Sequence, residues 1–222
     1  MPPTLARPIT YLITGGETSS ATTPADAAFR SLLALVRSAV EARVTLVQLR
    51  EKELTGRNLY ELASAAAQLA RGSTTRVLVN DRADVARAAA CDGVHLTTRS
   101  LDAAVVRRTF GEDFLIGVSA HTLLEARAAR DGGADFAVFG PIFDTPSKRV
   151  YGAPVGLETL KAAAGALSPF PVVALGGVDE GNAADILRAG AAGVAGIRLF
   201  ADGQNLARIV HLIGDSGQNR PQ

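Results

Sequence analysis

Residues 45–52 read Thr-Leu-Val-Gln-Leu-Arg-Glu-Lys, an apolar run that ends in an amide, a guanidinium and an ammonium. Alternate side chains of a strand share a face, which sets Gln48, Arg50 and Lys52 on one side and Leu49 and Glu51 on the other. A buried strand with cations at its exit either ends in solvent or meets an anion. The pattern recurs along the chain. Short apolar runs end in polar residues, and Ala-rich segments of helical period separate them, as in βα units around a parallel sheet.

Strands are expected over residues 9–14, 45–50, 77–80, 93–97, 115–119, 136–140, 171–175 and 193–198. Helices are expected over 25–42, 57–71, 82–90, 100–110, 122–131, 156–167, 181–190 and 204–213. Most of the strands are apolar on both faces, as a parallel sheet covered on both sides requires. Asp26 and Asn182 are candidate first-turn or cap residues, and Gly132-Gly133 and Gly190 are candidate helix stops. Eight pairs in 222 residues favour one closed (β/α)8 TIM barrel over an open doubly wound sheet. Residues 1–214 form this single domain. The tail at 215–222, DSGQNRPQ, has little apolar area to bury and is expected to be mobile.

Composition narrows the function. A formal net charge of +1 without long charged blocks argues against nucleic acid and against a polybasic membrane anchor, so any anion site is local. No run approaches the roughly 20 apolar residues of a membrane span, and the first eight residues, MPPTLARP, lack a signal-peptide core. The single cysteine, Cys91, excludes an internal disulfide and reads as a small core residue. A soluble cytoplasmic protein is the expectation.

In this fold the active site lies at the C-terminal ends of the strands. Those ends hold Gln48, Arg50 and Lys52, then Asn80-Asp81, then Ser119-Ala120-His121, and later Gly176-Gly177 and Gly196-Ile197-Arg198. The loop at 141–155, which includes Thr145, Ser147 and Lys148, is long enough to be a ligand clamp. Gly176-Gly177 is either a tight turn or a place where backbone N–H groups approach a phosphate. Arg50, Lys52 and Lys148 would suit a diphosphate. Asp81 fits two roles, a carboxylate ligand for Mg²⁺ or the cap of the next helix. His95 sits between apolar Val94 and Leu96 and reads as a hydrogen-bonded core imidazole. His121 stands at the mouth, as a proton carrier or as a loop-bonding residue. His211 falls in the last helix and reads as a surface residue.

QLREK at 48–52, VNDR at 79–82, DGVHL at 92–96, GVSAHTLLEA at 117–126, FGPIFDTPSK at 139–148 and ALGGV at 174–178 together resemble the thiamine phosphate synthase family, within a superfamily that also contains the thiazole tautomerases. The resemblance runs over nearly the whole chain. It implies a Mg²⁺-dependent transferase joining hydroxymethylpyrimidine diphosphate to a thiazole phosphate with release of diphosphate. It further implies that Gln48, Arg50, Lys52, Asn80, Ser119 and Lys148 hold the pyrimidine diphosphate and that Asp81 holds Mg²⁺. Thr145, Ser147, Gly177, Ile197 and Arg198 would hold the thiazole phosphate, and a homodimer is implied as well.

Two positions depart from the family pattern. A second Mg²⁺-binding Asp is expected after DGVHL, where this chain reads Thr97-Thr98-Arg99-Ser100, and Arg198 stands where a Ser is usual. The lost carboxylate suits a thiazole tautomerase, in which His121 would move a proton, or a non-catalytic binder of thiazole or thiamine phosphate. Retention of Lys52, Asp81 and Lys148 suits the synthase. An unrelated phosphosugar barrel would need only the ends of the last two strands.

Overall fold

The eight apolar runs become eight parallel strands that close on themselves in chain order. The computed structural model describes residues 5–144 and 153–218. The strands are β1 (Ile9–Ile13), β2 (Leu46–Leu49), β3 (Arg76–Asn80), β4 (Gly93–Leu96), β5 (Leu115–Ala120), β6 (Phe136–Phe139), β7 (Val172–Leu175) and β8 (Gly193–Gly196). Among the described residues, eight α-helices alternate with them: α1 (Ala27–Glu41), α2 (Gly56–Ala70), α3 (Ala83–Ala88), α4 (Ala103–Phe110), α5 (Leu123–Asp131), α6 (Gly156–Leu167), α7 (Ala183–Arg188) and α8 (Leu206–Gln218). The expected (β/α)8 barrel is the observed one.

Strand alternation sorts the apolar side chains into two cores. One set, including Ile9, Tyr11, Leu46, Leu78, Leu115, Phe136 and Val173, fills the barrel interior. The other, including Leu12, Val47, Leu49, Val77, Val79, Val94 and Ile116, packs outward against the helices. The helices answer with apolar residues at three- and four-residue spacing, as in Leu59, Leu62, Ala63, Ala66 and Ala70 of α2. Inside, Phe136 is completely buried, which is worth about 2–3 kcal/mol relative to exposure. Gly117 makes the room, since a Cβ there would stand 2.3 Å from Phe136 Cζ and 3.0 Å from His95 Nδ1.

Several boundaries differ from expectation for local reasons. Strand 8 stops at Gly196 rather than 198, and the chain turns into a short 3-10 helix, Arg198–Phe200, whose Phe200 is buried. The last helix runs through Asp215 to Gln218, where the sequence suggested a tail. Its second half carries a His211 Nε2–Asp215 Oδ2 contact at 3.2 Å and a Ser216 hydroxyl donating to the Leu212 carbonyl. Asp26 and Asn182 stand at helix starts without capping the helix N–H groups. Thr55 and Thr122 do cap, accepting from the N–H groups of Asn58 and Glu125. Cys91 is buried as expected, and burial pushes its thiol up to about 12, so it stays protonated.

Candidate active site

The mouth at the strand ends divides into two halves. In the β2–β5 half, Gln48 and Asn80 both point inward, and Gln48 Nε2 donates to Asn80 Oδ1 at 3.1 Å. Arg50 follows β2 directly and is half-buried; its guanidinium lies 3.3 Å from where a Cβ on Gly16 would stand. Lys52 is exposed in the turn beyond β2, where strand alternation no longer dictates its direction. Thr145, Ser147 and Lys148 lie outside the described residues.

Glu51 has a role that the sequence reading did not assign. It is 2 % exposed, and its carboxylate accepts from the Thr14 hydroxyl at 2.6 Å, the Thr18 hydroxyl at 2.7 Å and the N–H groups of Gly16 and Thr18 at 3.1 and 3.3 Å. Thr14 Oγ1 in turn accepts from the Arg50 N–H at 2.8 Å. The buried carboxylate therefore gathers the loop after β1 and ties it to the backbone that carries Arg50. The alternation at 48–52 puts Glu51 on the other face from Gln48 but does not show the four donors, which come from 33 to 37 residues away.

His95 is a buried imidazole, as expected, with partners on both nitrogens. Tyr11 Oη lies 3.2 Å from Nδ1, and Ser119 Oγ lies 2.9 Å from Nε2. Burial, with a smaller contribution from the Arg50 charge, pushes the imidazole down to about 3, so the ring is neutral. The site residue Ser119 is thus coupled through His95 to Tyr11 on the far side of the barrel.

Asp81 is not the cap of α3. Arg82 occupies that position, while Asp81 adopts a left-handed φ of 65°, rare for a residue with a side chain. Its N–H donates to the His95 carbonyl at 2.9 Å, and its carboxylate accepts from the Ser100 hydroxyl. Ser100 Oγ is held by the Thr97 N–H at 2.6 Å. Among the described residues, no three His, Cys, Asp or Glu side chains could hold a metal ion together. Mg²⁺ can be held by one or two carboxylates when substrate phosphates complete its shell. The donors Asp81 and Ser100 therefore fit a metal that enters with a diphosphate, and do not fit a resident ion held by protein alone.

Where the two halves meet, His121 follows β5 and its Nδ1 lies 2.6 Å from the Gly140 carbonyl, which can only accept, so Nδ1 carries a proton, while Nε2 has no hydrogen-bond partner among the described residues. Gly176 and Gly177 have φ values of 99° and 65°, and a Cβ on either would stand 2.6 Å from Pro141 or Phe143. The Gly176 carbonyl accepts from the Phe143 N–H at 3.0 Å. Across that trans peptide the Gly177 N–H points the opposite way. Asn182 Nδ2 donates to the Gly177 carbonyl at 2.8 Å and pins the turn from behind. Gly177 and Arg198 line one open cleft of about 840 Å³, together with Asp144, Asp179, Glu180 and Arg208. Ile197 is partly exposed just before the 3-10 turn. The structure thus brings Gln48, Asn80, Arg50, Ser119 and Asp81 to one half of the mouth, and Gly176, Gly177, Ile197 and Arg198 to the other.

Fold and mouth define the class: a (β/α)8 barrel with amides, hydroxyls and cations gathered at the C-terminal ends of its strands. The chain belongs to the thiamine monophosphate synthase family, whose profile matches residues 11–200. A Geobacter sulfurreducens protein is 50% identical over 166 residues, covering 75% of this chain and 78% of that one. A Moorella thermoacetica protein named thiamine-phosphate synthase is 45% identical over 166 residues, 75% of this chain and 79% of its own. Among solved structures, the thiamine phosphate pyrophosphorylase of Pyrococcus furiosus superposes with a TM-score of 0.78 at 28% identity and covers 95% of each chain. Among the described residues, no helix is long and apolar enough to cross a membrane.

Proposed function

We propose that the protein is a thiamine phosphate synthase, joining hydroxymethylpyrimidine diphosphate to a thiazole phosphate and releasing diphosphate. The observation that carries this reading is the two-halved mouth, in a chain of this family. One half holds Gln48 paired with Asn80, beside Arg50, Ser119 and Asp81; the other holds the Gly176-Gly177 turn and Arg198.

Each half has a task. The Gln48–Asn80 bond uses one N–H and one carbonyl, which leaves Asn80 Nδ2 as donor and Gln48 Oε1 as acceptor for the edge of a pyrimidine. The bond from the pyrimidine's methylene to diphosphate then breaks. The electron pair leaves with diphosphate, and the thiazole nitrogen attacks the carbocation. Negative charge grows on the leaving group, so cations and donors already in place lower the barrier. Arg50, Lys52 and Lys148 are the proposed cations and Ser119 a proposed donor. Asp81 would hold Mg²⁺, which supplies further charge neutralisation on the diphosphate. The Gly177 N–H, Ile197 and Arg198, with Thr145 and Ser147, would orient the thiazole phosphate. Arg198 can bind phosphate bidentately, in a cleft whose carboxylates discourage a second anion.

Besides the missing carboxylate at position 100, a tautomerase reading has in its favour His121 Nε2, which has no hydrogen-bond partner among the described residues. Incubation with both substrates and Mg²⁺ decides between them. Formation of thiamine phosphate is the expected result; its absence at high enzyme concentration rejects the synthase. Action in the cytoplasm as a homodimer belongs to the same reading, and light scattering tests the dimer.

A further inference from the structure

We propose that the Tyr11–His95–Ser119 chain dictates which way the Ser119 hydroxyl donates, turning it outward as a fixed donor to an anionic oxygen of the ligand in the β2–β5 half of the mouth. The inference rests on the diphosphate reading of that half. Tyr11 and His95 are positioning residues in it; only Ser119 meets the ligand.

Tyr11 is fully buried, and burial holds its phenol protonated. Among the described residues its one hydrogen-bond partner is His95 Nδ1. A buried phenol with one partner either donates to it or leaves its proton unsatisfied. If it donates, Nδ1 is the acceptor and the neutral imidazole carries its proton on Nε2. Nε2–H then donates to Ser119 Oγ, and the Ser119 proton must point elsewhere. In the reverse arrangement Ser119 donates to Nε2 and Nδ1–H donates to the phenol oxygen, which strands the phenol O–H inside the barrel. Leaving such a donor unmade disfavours that arrangement roughly ten- to a hundredfold.

Packing fixes where the rings of this chain stand. Phe136 packs edge-on to Tyr11, with ring centroids 5.6 Å apart at 80°, and Gly117 opens the space for both Phe136 and His95. Ser119 is half-buried near the end of β5, and its register partner Val138 faces the same interior. A serine that has accepted from behind has one proton left and one open direction, the mouth.

The test uses the full chain. Nitrogen-15 NMR of the three histidines reads the His95 tautomer directly. The expected form is protonated on Nε2; protonation on Nδ1 overturns the relay. In parallel, calorimetry measures affinity for inorganic pyrophosphate. Ser119→Ala and Tyr11→Phe are each expected to weaken it about tenfold, with Ser119→Thr retaining most of it. Unchanged affinity in Ser119→Ala, or no pyrophosphate binding by the parent protein, also overturns the inference. Should Tyr11→Phe fail to fold, the parent NMR and the serine variants still decide. A parent protein that makes thiamine phosphate with Nδ1 protonated sinks only the relay; one that makes none rejects the proposed function whatever the tautomer.

Discussion

The Ser100 hydroxyl donates to the Asp81 carboxylate, joining the loop after β4 to the end of β3 at the point where the family pattern calls for a second acidic ligand. A neutral donor orients Asp81 without adding charge, so a divalent ion bound there would meet one protein carboxylate where two would bind better.

Ser100→Asp is therefore expected to strengthen Mg²⁺ binding about tenfold or more in the presence of pyrophosphate, measured by calorimetry. Without metal the variant places two carboxylates together and should melt at a lower temperature. An unaltered metal response would remove position 100 from the ion's surroundings.

Glu51→Ala should destabilise the fold by about 2–4 kcal/mol, because it strands two hydroxyls and two backbone N–H groups in a buried site. Urea unfolding gives the number. Pyrophosphate affinity should fall as well, since Thr14 links this carboxylate to the Arg50 backbone. Normal stability would mean that solvent reaches these groups freely.

Gly177→Ala forces a side chain into a left-handed φ of 65° and against Phe143 Cβ at 2.6 Å. A cost of about 1–3 kcal/mol is expected. The functional signature is asymmetric: KM for the thiazole phosphate rises while KM for the diphosphate substrate stays near its parent value. Equal changes in both would refute the division of the mouth.

Stability should fall as pH drops from about 6.5 to 5. The unfolded chain protonates His95 near its ordinary value of 6.5, whereas the folded chain keeps it neutral to about 3. Between those limits the unfolded state binds one more proton, so unfolding free energy decreases with falling pH by up to about 1.4 kcal/mol per unit. His95→Asn should flatten the slope in the 6.5–5 window in paired denaturant titrations, and an equal slope in the variant would assign it to other groups.

The fold was readable because its signal is periodic. Apolar runs such as Leu46–Leu49 and Val172–Leu175 are too short for helices and apolar on both faces, which suits strands buried on both sides. Ends were less readable. Ile197 and Arg198 look like a continuing strand, yet Gly196 ends the ladder and Phe200 is drawn into the core by the 3-10 turn. Among site residues, Gln48, Arg50 and Asn80 stand out because polar groups at a buried strand's exit need a reason. Glu51 and Tyr11 do not, since their partners are distant in the chain.

The chain's own order of residues determined the number of βα units, the face each strand residue takes and which polar groups reach the mouth, because those follow from local periodicity. Only closure of the barrel decided that Tyr11 of the first strand touches His95 of the fourth, that Glu51 collects four donors, and that Asp81 binds Ser100 rather than capping a helix. Such contacts depend on strand register and on which loops a closed ring brings side by side, and no stretch of a dozen residues carries that information.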